Sequence, residues 1–264
     1  MARVAICIPS YKNRESLKRL LDSILEQDYQ DYIVSITDDT DTEEIEELAR
    51  AYQSDKLFYH KNKERLGATS NCNKSILLAQ RFRPEYIKVM HHDDFFTFPF
   101  SLSRLVEMLD KERGSAIAFS GTCQVCSRNS YERCISSGEA CELKKDFRYL
   151  YIANVIGAPS AVLIRNSQIY MDAKLKWLVD IEWYMRILSA NNTFSYTCEP
   201  LVSIGVSRNQ LTNECIADPA LQIKEYRYVF KKLGLCQQQR FKKHFKKVVI
   251  QNIKAEMKKF LGIT

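Results

Sequence analysis

Asp38 and Asp39 close an apolar run in IVSITDDTDTEE (33–44), and Asp93 and Asp94 do the same in VMHHDDFF (89–96). Two carboxylate pairs facing one crevice can hold a hard divalent cation that bridges the phosphates of a nucleotide. Mg2+ is typically bound by one or two carboxylates together with phosphate oxygens and waters. Such a cation also reverses the repulsion that an acidic cluster exerts on a diphosphate. His91 and His92, two of the four histidines in the chain, are further potential ligands. The alternative for all of them is a solvated turn after a strand, since Asp-Asp and Asp-Thr steps are common turn formers. A third acidic site, Asp180 with Glu182 in WLVDIEWYMRI (177–187), stands at the start of a helix. Backbone N–H groups there favour an anionic carboxylate, which suits a general base and equally suits plain helix-start charges.

These residues act together only if the fold brings them to one edge. RVAICIP (3–9), YIVSIT (32–37), KLFYHKN (56–62) and YIKVM (86–90) have the apolar, β-rich composition of strands. Between them lie helical periods. One starts at the N-cap Asn13 with Leu17, Leu20, Leu21, Ile24 and Leu25; a second carries Ile45, Leu48, Ala49 and Tyr52; a third runs from Thr69 to Phe82. This alternation predicts βαβ units, a mainly parallel central sheet flanked by helices, and ligand binding outside the carboxyl ends of the strands. Pro9-Ser10-Tyr11, Asp38-Asp39 and His91 to Asp94 all follow strands and should open onto the same edge. A helix at 101–111, strands at 115–121 and 157–165 and a helix at 177–190 follow, around a polar, cysteine-bearing stretch at 122–150. No Pro/Gly linker divides the chain, so the second half reads as an extension of the same α/β fold.

Composition excludes several classes. No apolar stretch approaches the roughly 20 residues that span a bilayer, and the first residues read as a strand rather than a signal peptide. A cytoplasmic protein is expected. Nine cysteines, an odd number, are expected as reduced thiols, and the spacing of Cys123, Cys126, Cys134 and Cys141 matches no common zinc pattern well. G-x-x-x-x-G-K-[ST] is absent, and no G-x-G-x-x-G follows the first strand, which disfavours P-loop and dinucleotide chemistry. The formal charge is +7, but residues 221–264 hold 12 Lys and Arg against 2 acids, leaving the rest of the chain net acidic. Phe241, Phe245, Val248 and Val249 recur at helical spacing among those lysines. The stretch 239–262 therefore suits either an anionic membrane surface or packing on its own domain. Without an aromatic stacking platform, nucleic acid is not an expected partner.

Taken in order, VAICIPSYKNRESLKRLLDSILEQDY, IVSITDDTDTEE, ERLGATSNCNKSILLA, YIKVMHHDDFF and WLVDIEWYMRI resemble the family-2 inverting glycosyltransferases of the GT-A fold, over about residues 3–190. The resemblance implies a metal-dependent transfer of a sugar from a nucleotide-diphosphate sugar, with a UDP-sugar expected, to a hydroxyl-bearing glycan or lipid-linked acceptor in cell-surface glycan biosynthesis. It implies that Pro9, Ser10, Tyr11, Asp38 and Asp39 contact the nucleoside. Asp93 and Asp94 would hold the diphosphate and Mn2+ or Mg2+, Asn73 and Glu182 would contact substrate, and Asp180 would be the base. It also implies a nucleotide-sugar-binding half at 1–120, an acceptor-binding half at 121–220 and a basic helical tail at 221–264, on the inner face of the membrane if the tail binds it. His91 stands where the family often has another aspartate. No histidine occurs in GVSRNQLTN (205–213), which leaves Arg208 or Asn209 as diphosphate contacts. A nucleotidyltransferase, or a non-catalytic sugar-nucleotide binder, is the alternative.

Overall fold

A computed structural model describes residues 2–126, 129–206 and 211–260. The first half alternates as expected: β1 (Val4–Ser10), α1 (Arg14–Leu25), β2 (Tyr32–Asp38), α2 (Glu44–Ala51), β3 (Leu57–Lys61), α3 (Ala68–Ala79) and β4 (Tyr86–Val89). There follow β5 (Phe95–Phe96), α4 (Ser101–Lys111), β6 (Ile117–Val125), β7 (Ser130–Arg133), α5 (Ser137–Lys145), β8 (Val162–Arg165), α6 (Val179–Ala190), β9 (Phe194–Gly205), α7 (Leu211–Ile216), α8 (Pro219–Lys232) and α9 (Gln239–Phe260). The strands join in one sheet of order β3-β2-β1-β4-β8-β6-β9-β5, with β7 beside β6.

β1 is central because both of its faces are apolar. Val4, Ile6 and Ile8 pack with α1, α2 and α4 on one side, while Ala5 and Cys7 pack with α3 and α6 on the other. Its parallel partners fix the site edge: Ser10 is level with Asp38 on β2, and Cys7 with Val89 on β4. The strand ends therefore emerge together, and the turn 91–94 lies beside them. In α1 the periodic residues Leu17, Leu20, Leu21 and Ile24 are buried, but Leu25 is exposed because the helix ends there.

Beyond β4 the sheet is mixed, whereas the sequence periodicity predicts a mainly parallel one. β8 runs antiparallel to both β4 and β6, β9 parallel to β6, and β5 antiparallel to β9. The strand expected at 157–165 begins only at Val162, after a turn at Pro159–Ala161. The stretch 122–150 holds the end of β6, β7 and α5, the last opened by a Ser136/Glu139 capping box. β9 escapes the sequence reading because its period breaks. Ser120 pairs with Thr197 but Gly121 with Pro200, so Cys198 and Glu199 bulge out. That bulge sets Cys198 against Cys134, and the two are disulfide-bonded, which corrects the expectation of reduced thiols throughout. The partners are 64 residues apart, a pairing that only the β6–β9 contact creates.

The basic tail is two helices. α8 and α9 pack on each other and on the main core, where Val229 and Phe241 are fully buried and Phe245 stacks on Phe230 at 5.2 Å between centroids. The apolar face expected to be available to a membrane, through Phe241, Phe245 and Val248, is therefore occupied by the protein itself, with Val249 half-buried beside it. Residues 261 and 262 of that stretch lie outside the described residues. Among the described residues, no helix is long and apolar enough to cross a membrane.

The bulge gives a stability prediction. A Cβ on Gly121 would stand 2.4 Å from the Cys198 carbonyl oxygen, a backbone atom that cannot swing away. Gly121→Ala should cost about 1–3 kcal/mol and lower Tm by roughly 3–10 °C in a thermal melt. An unchanged melt would contradict the β6–β9 register.

Candidate active site

The β2 carboxylates point inward. Asp38 is fully buried, with Oδ2 accepting the Tyr59 hydroxyl at 2.8 Å and Oδ1 the Thr40 N–H at 2.8 Å. Burial, followed by the Asp38 carboxylate, pushes the Tyr59 phenol well above its ordinary value. Asp39 Oδ1 accepts Asn62 Nδ2 at 2.8 Å and the Leu66 N–H at 3.1 Å, and its Oδ2 accepts the Gly67 N–H at 2.8 Å. Gly67 has φ +82°, a left-handed conformation that side chains disfavour, and it starts α3. Both aspartates thus hold the loops at the carboxyl ends of β1 and β2.

Asn71, which the sequence did not single out, locks this edge. Its Nδ2 donates to the carbonyls of Ser10 (3.0 Å) and Thr37 (3.2 Å), and its Oδ1 accepts Asn62 Nδ2 (2.8 Å). Ser10 Oγ is buried without a hydrogen-bond partner in the structure. Tyr11 sits at the mouth, with the Arg65 guanidinium 4.2 Å and the Lys12 ammonium 5.1 Å from its ring centroid. Aromatic and cationic groups so arranged suit a base and phosphates. Pro9, near the end of β1, lies beside His92, whose imidazole burial holds below its ordinary pKa.

The turn after β4 is closed by the Asp94 N–H donating to the His91 carbonyl at 3.0 Å and anchored by the His91 N–H donating to Ser160 Oγ at 2.9 Å. The Asp94 carboxylate is buried and accepts the Gly205 N–H at 3.1 Å; Asp93 is more open. Burial, then the charge of Asp93, holds Asp94 well above the usual carboxylate range, with Ser160, Gly205 and Lys88 opposing. Lys88 lies fully buried in β4, its Nζ donating to the Ser160 carbonyl and held below its ordinary pKa by burial. His91 Nδ1 is 3.9 Å from Asp94 Oδ2. Two adjacent carboxylates, incompletely compensated, are hard oxygen donors of the kind that Mg2+ or Mn2+ takes. Among the described residues, no three His, Cys, Asp or Glu side chains converge to hold a metal by themselves. The donor set therefore fits an ion completed by phosphate oxygens and water, and not a closed structural site.

Asp180 lies in the first turn of α6 and remains partly open. Burial pushes its carboxyl up to about 6, with His91 opposing; burial, and after it the charge of Asp180, raises the Cys72 thiol and the Tyr184 phenol. It thus lies between the acidic turn and the α3 face of the core.

Two expected substrate contacts face elsewhere. Asn73 donates Nδ2 to the Met171 carbonyl at 2.8 Å and accepts the Met171 N–H at 2.9 Å, so its amide is spent on the loop before α6. Glu182 is fully buried on the far side of α6, bidentate to Arg186 at 2.6 and 2.8 Å and paired with Lys232 of α8 at 2.8 Å. Helical spacing explains the latter: Asp180 and Glu182 are two residues apart and so point to different faces. The expected contacts Arg208 and Asn209 lie outside the described residues. Lys88, Ser160 and Gly205 were also missed. Only Lys88, a charge inside a strand-like run, left a signal, while Gly205 belongs to the strand whose period breaks.

The sheet, with buried carboxylates and an acidic turn at the carboxyl ends of its parallel strands, has GT-A architecture. The sequence profile of Glycosyl transferase family 2 matches residues 5–169, well over half of the chain, and the chain belongs to that family. WcaA of Escherichia coli (strain K12), a putative colanic acid biosynthesis glycosyl transferase, is 27% identical over 188 residues, covering 70% of this chain and 66% of its own length, just under two thirds. S. aureus TarS 1–349 in complex with UDP-GlcNAc superposes with a TM-score of 0.68 at 14% identity, covering 96% of this chain and 72% of that one. Mannosyltransferase PcManGT from Pyrobaculum calidifontis, in complex with GDP-Man and Mn2+, gives 0.59 at 13% identity, covering 95% of this chain and 87% of that one. At these identities the two structures show the shared fold.

The position of Glu182 is testable by stability alone. Glu182→Ala removes the buried carboxylate that Arg186 pairs with and one of the two that Lys232 pairs with, Asp172 being the other, and should cost about 1.5–3 kcal/mol, read as a lower denaturant midpoint. A full-stability variant that had only lost ligand affinity would contradict the assignment.

Proposed function

We propose that the protein is a metal-dependent, inverting glycosyltransferase. It moves a sugar from a nucleotide-diphosphate sugar, with a UDP-sugar as expected donor, to a hydroxyl of a glycan or lipid-linked acceptor in cell-surface glycan biosynthesis. The observation that carries this reading is the match of residues 5–169 to Glycosyl transferase family 2, together with Asp180, a partly open carboxylate in the first turn of α6. The complexes of TarS with UDP-GlcNAc and of PcManGT with GDP-Man and Mn2+ support the donor class and the ion, and the named role of WcaA supports a biosynthetic direction.

Pro9, Ser10 and Tyr11 receive the nucleoside, and Asp38 and Asp39 hold the loops beside them. Asp93 and Asp94 would hold Mn2+ or Mg2+; when bound, that ion offsets the charge gathering on the departing diphosphate. Arg65 and Lys12 at the mouth add positive charge on the same side. Asp180 takes the proton of the acceptor hydroxyl as its oxygen forms a bond to the anomeric carbon and the bond to the diphosphate breaks. A single displacement of this kind inverts the anomeric configuration.

A base must be deprotonated, and burial has raised this one to about 6. Activity should therefore be full above that pH and fall about tenfold per unit below it. Asp180→Asn should lose at least about a hundredfold in kcat while keeping the thermal shift produced by a nucleoside diphosphate with Mn2+. Full activity in Asp180→Asn would sink the mechanism. Absence of transfer and hydrolysis by the wild type with every sugar nucleotide would favour a non-catalytic binder.

The membrane reading moves to the other face of α9. Opposite the packed Phe241, Val248 and Asn252, the spacing lines up Lys242, Lys243, Lys246, Lys247 and Lys254 with Ile250, Ile253 and Met257, which are 42%, 46% and 58% exposed. An outward arc of lysines and apolar side chains, with Glu256 as the single exposed acid of α9 at its margin, suits an anionic lipid surface. The protein should sediment with phosphatidylglycerol-containing vesicles and not with phosphatidylcholine alone. Replacing Lys242, Lys243, Lys246 and Lys247 by Gln should weaken binding by about 4 kcal/mol, at about 1 kcal/mol per charge. Equal binding by that variant would refute the contact.

A further inference from the structure

We infer that Glu225, in α8, is a positioning residue for Asp180. The inference rests on the reading of Asp180 as the base. Glu225 is 2% exposed, and its carboxylate accepts three consecutive backbone N–H groups: Lys176 on Oε1 at 2.7 Å, and Trp177 and Leu178 on Oε2 at 2.9 Å each. Leu178 is the N-cap of α6 and has no side-chain oxygen with which to cap it; Glu225, from another helix, instead holds the Leu178 N–H and the two N–H groups before it. Asp180 follows two residues later. A carboxylate at this helix end is also favoured by the α6 dipole.

The same loop is held from its other sides. Asn73 pairs with Met171, Thr69 Oγ1 donates to the Leu175 carbonyl at 3.2 Å, and Asp172 accepts the Tyr228 hydroxyl at 2.8 Å and pairs with Lys232. The Trp183 indole donates to the Ile169 carbonyl at 2.8 Å. The tethers from α3 start beside the nucleotide edge, and those from α8 start in the tail. Glu225 is the tether nearest to Asp180 in sequence, and it fixes backbone rather than a side chain. Its loss leaves three N–H groups without their acceptor and frees the chain that carries the base to shift.

Glu225→Gln keeps the volume but replaces one accepting oxygen by an NH2 that opposes the incoming N–H groups. The expected result is a kcat 10–100-fold below wild type, on the scale that displacement of a reacting group costs, with donor KM and the nucleoside-diphosphate thermal shift unchanged. Glu225→Asp should fall between the two. Leu48→Ala, which opens a cavity in α2 away from the site, is the control for lost stability and should keep its kcat. The inference is overturned if folded Glu225→Gln turns over within about twofold of wild type, or loses no more kcat than Leu48→Ala. Inactive Asp180→Asn beside fully active Glu225→Gln sinks the clamp alone, whereas active Asp180→Asn sinks the base assignment and the clamp's route with it. Should the Glu225 variants not fold, hydrogen exchange in the wild type decides. The amides of 176–178 should be among the slowest outside the strands, and rapid exchange there overturns the clamp.

Discussion

Burying carboxylates is the constraint around which this chain is built. An ionised carboxyl taken out of water must find donors, find a cation, or give up its charge. Asp38, Asp39, Asp94, Glu182 and Glu225 are all buried, and Asp180 is partly open. Each meets the requirement in a different way. Asp39 and Glu225 take backbone N–H groups, Asp38 takes a phenol and an amide, and Glu182 takes Arg186 and Lys232.

Those that are fully provided for are fixed in place and hold something else. Asp39 sets the loop that starts α3, and Glu182 and Glu225 bind α8 to α6. The two with raised pKa values, Asp94 and Asp180, are the ones whose requirement the protein leaves incompletely met. An incompletely met carboxylate is where a cation or a proton can be taken up, which is why satisfaction, more than burial, separates scaffold from chemistry here. Lys88 marks the intermediate case. It offsets part of the charge of Asp94 from beneath without reaching the open Asp93.

The basic tail changes meaning in the same light. As sequence it is a charged appendage; as structure its inner faces complete the core around Tyr151 and Phe230, and its carboxylate and lysine reach the helix of the candidate base. The lysines that remain outside share their arc with Ile250, Ile253 and Met257. One helix pair thus serves packing on one side and leaves a basic, apolar surface on the other.

The sequence by itself determined the first four strands and their helices, because both faces of β1, β2 and β4 are buried and short-range apolar periods record that directly. It also placed Asp38, Asp39, Asp93, Asp94 and Asp180, since strand ends and helix starts are local features. Tertiary structure alone decided the rest. Glu182 and Asn73 carry the right chemistry at the right place in the chain but face Arg186 and Met171, and no local pattern says which way a helix is turned once it docks. The Cys134–Cys198 bond, the Gly205 donor and the Glu225 clamp each join segments tens of residues apart. They rest on β9, whose period a bulge interrupts, or on α8, whose burial is set by the surface it meets. A periodicity can show that a face is apolar; only the packed molecule shows what covers it.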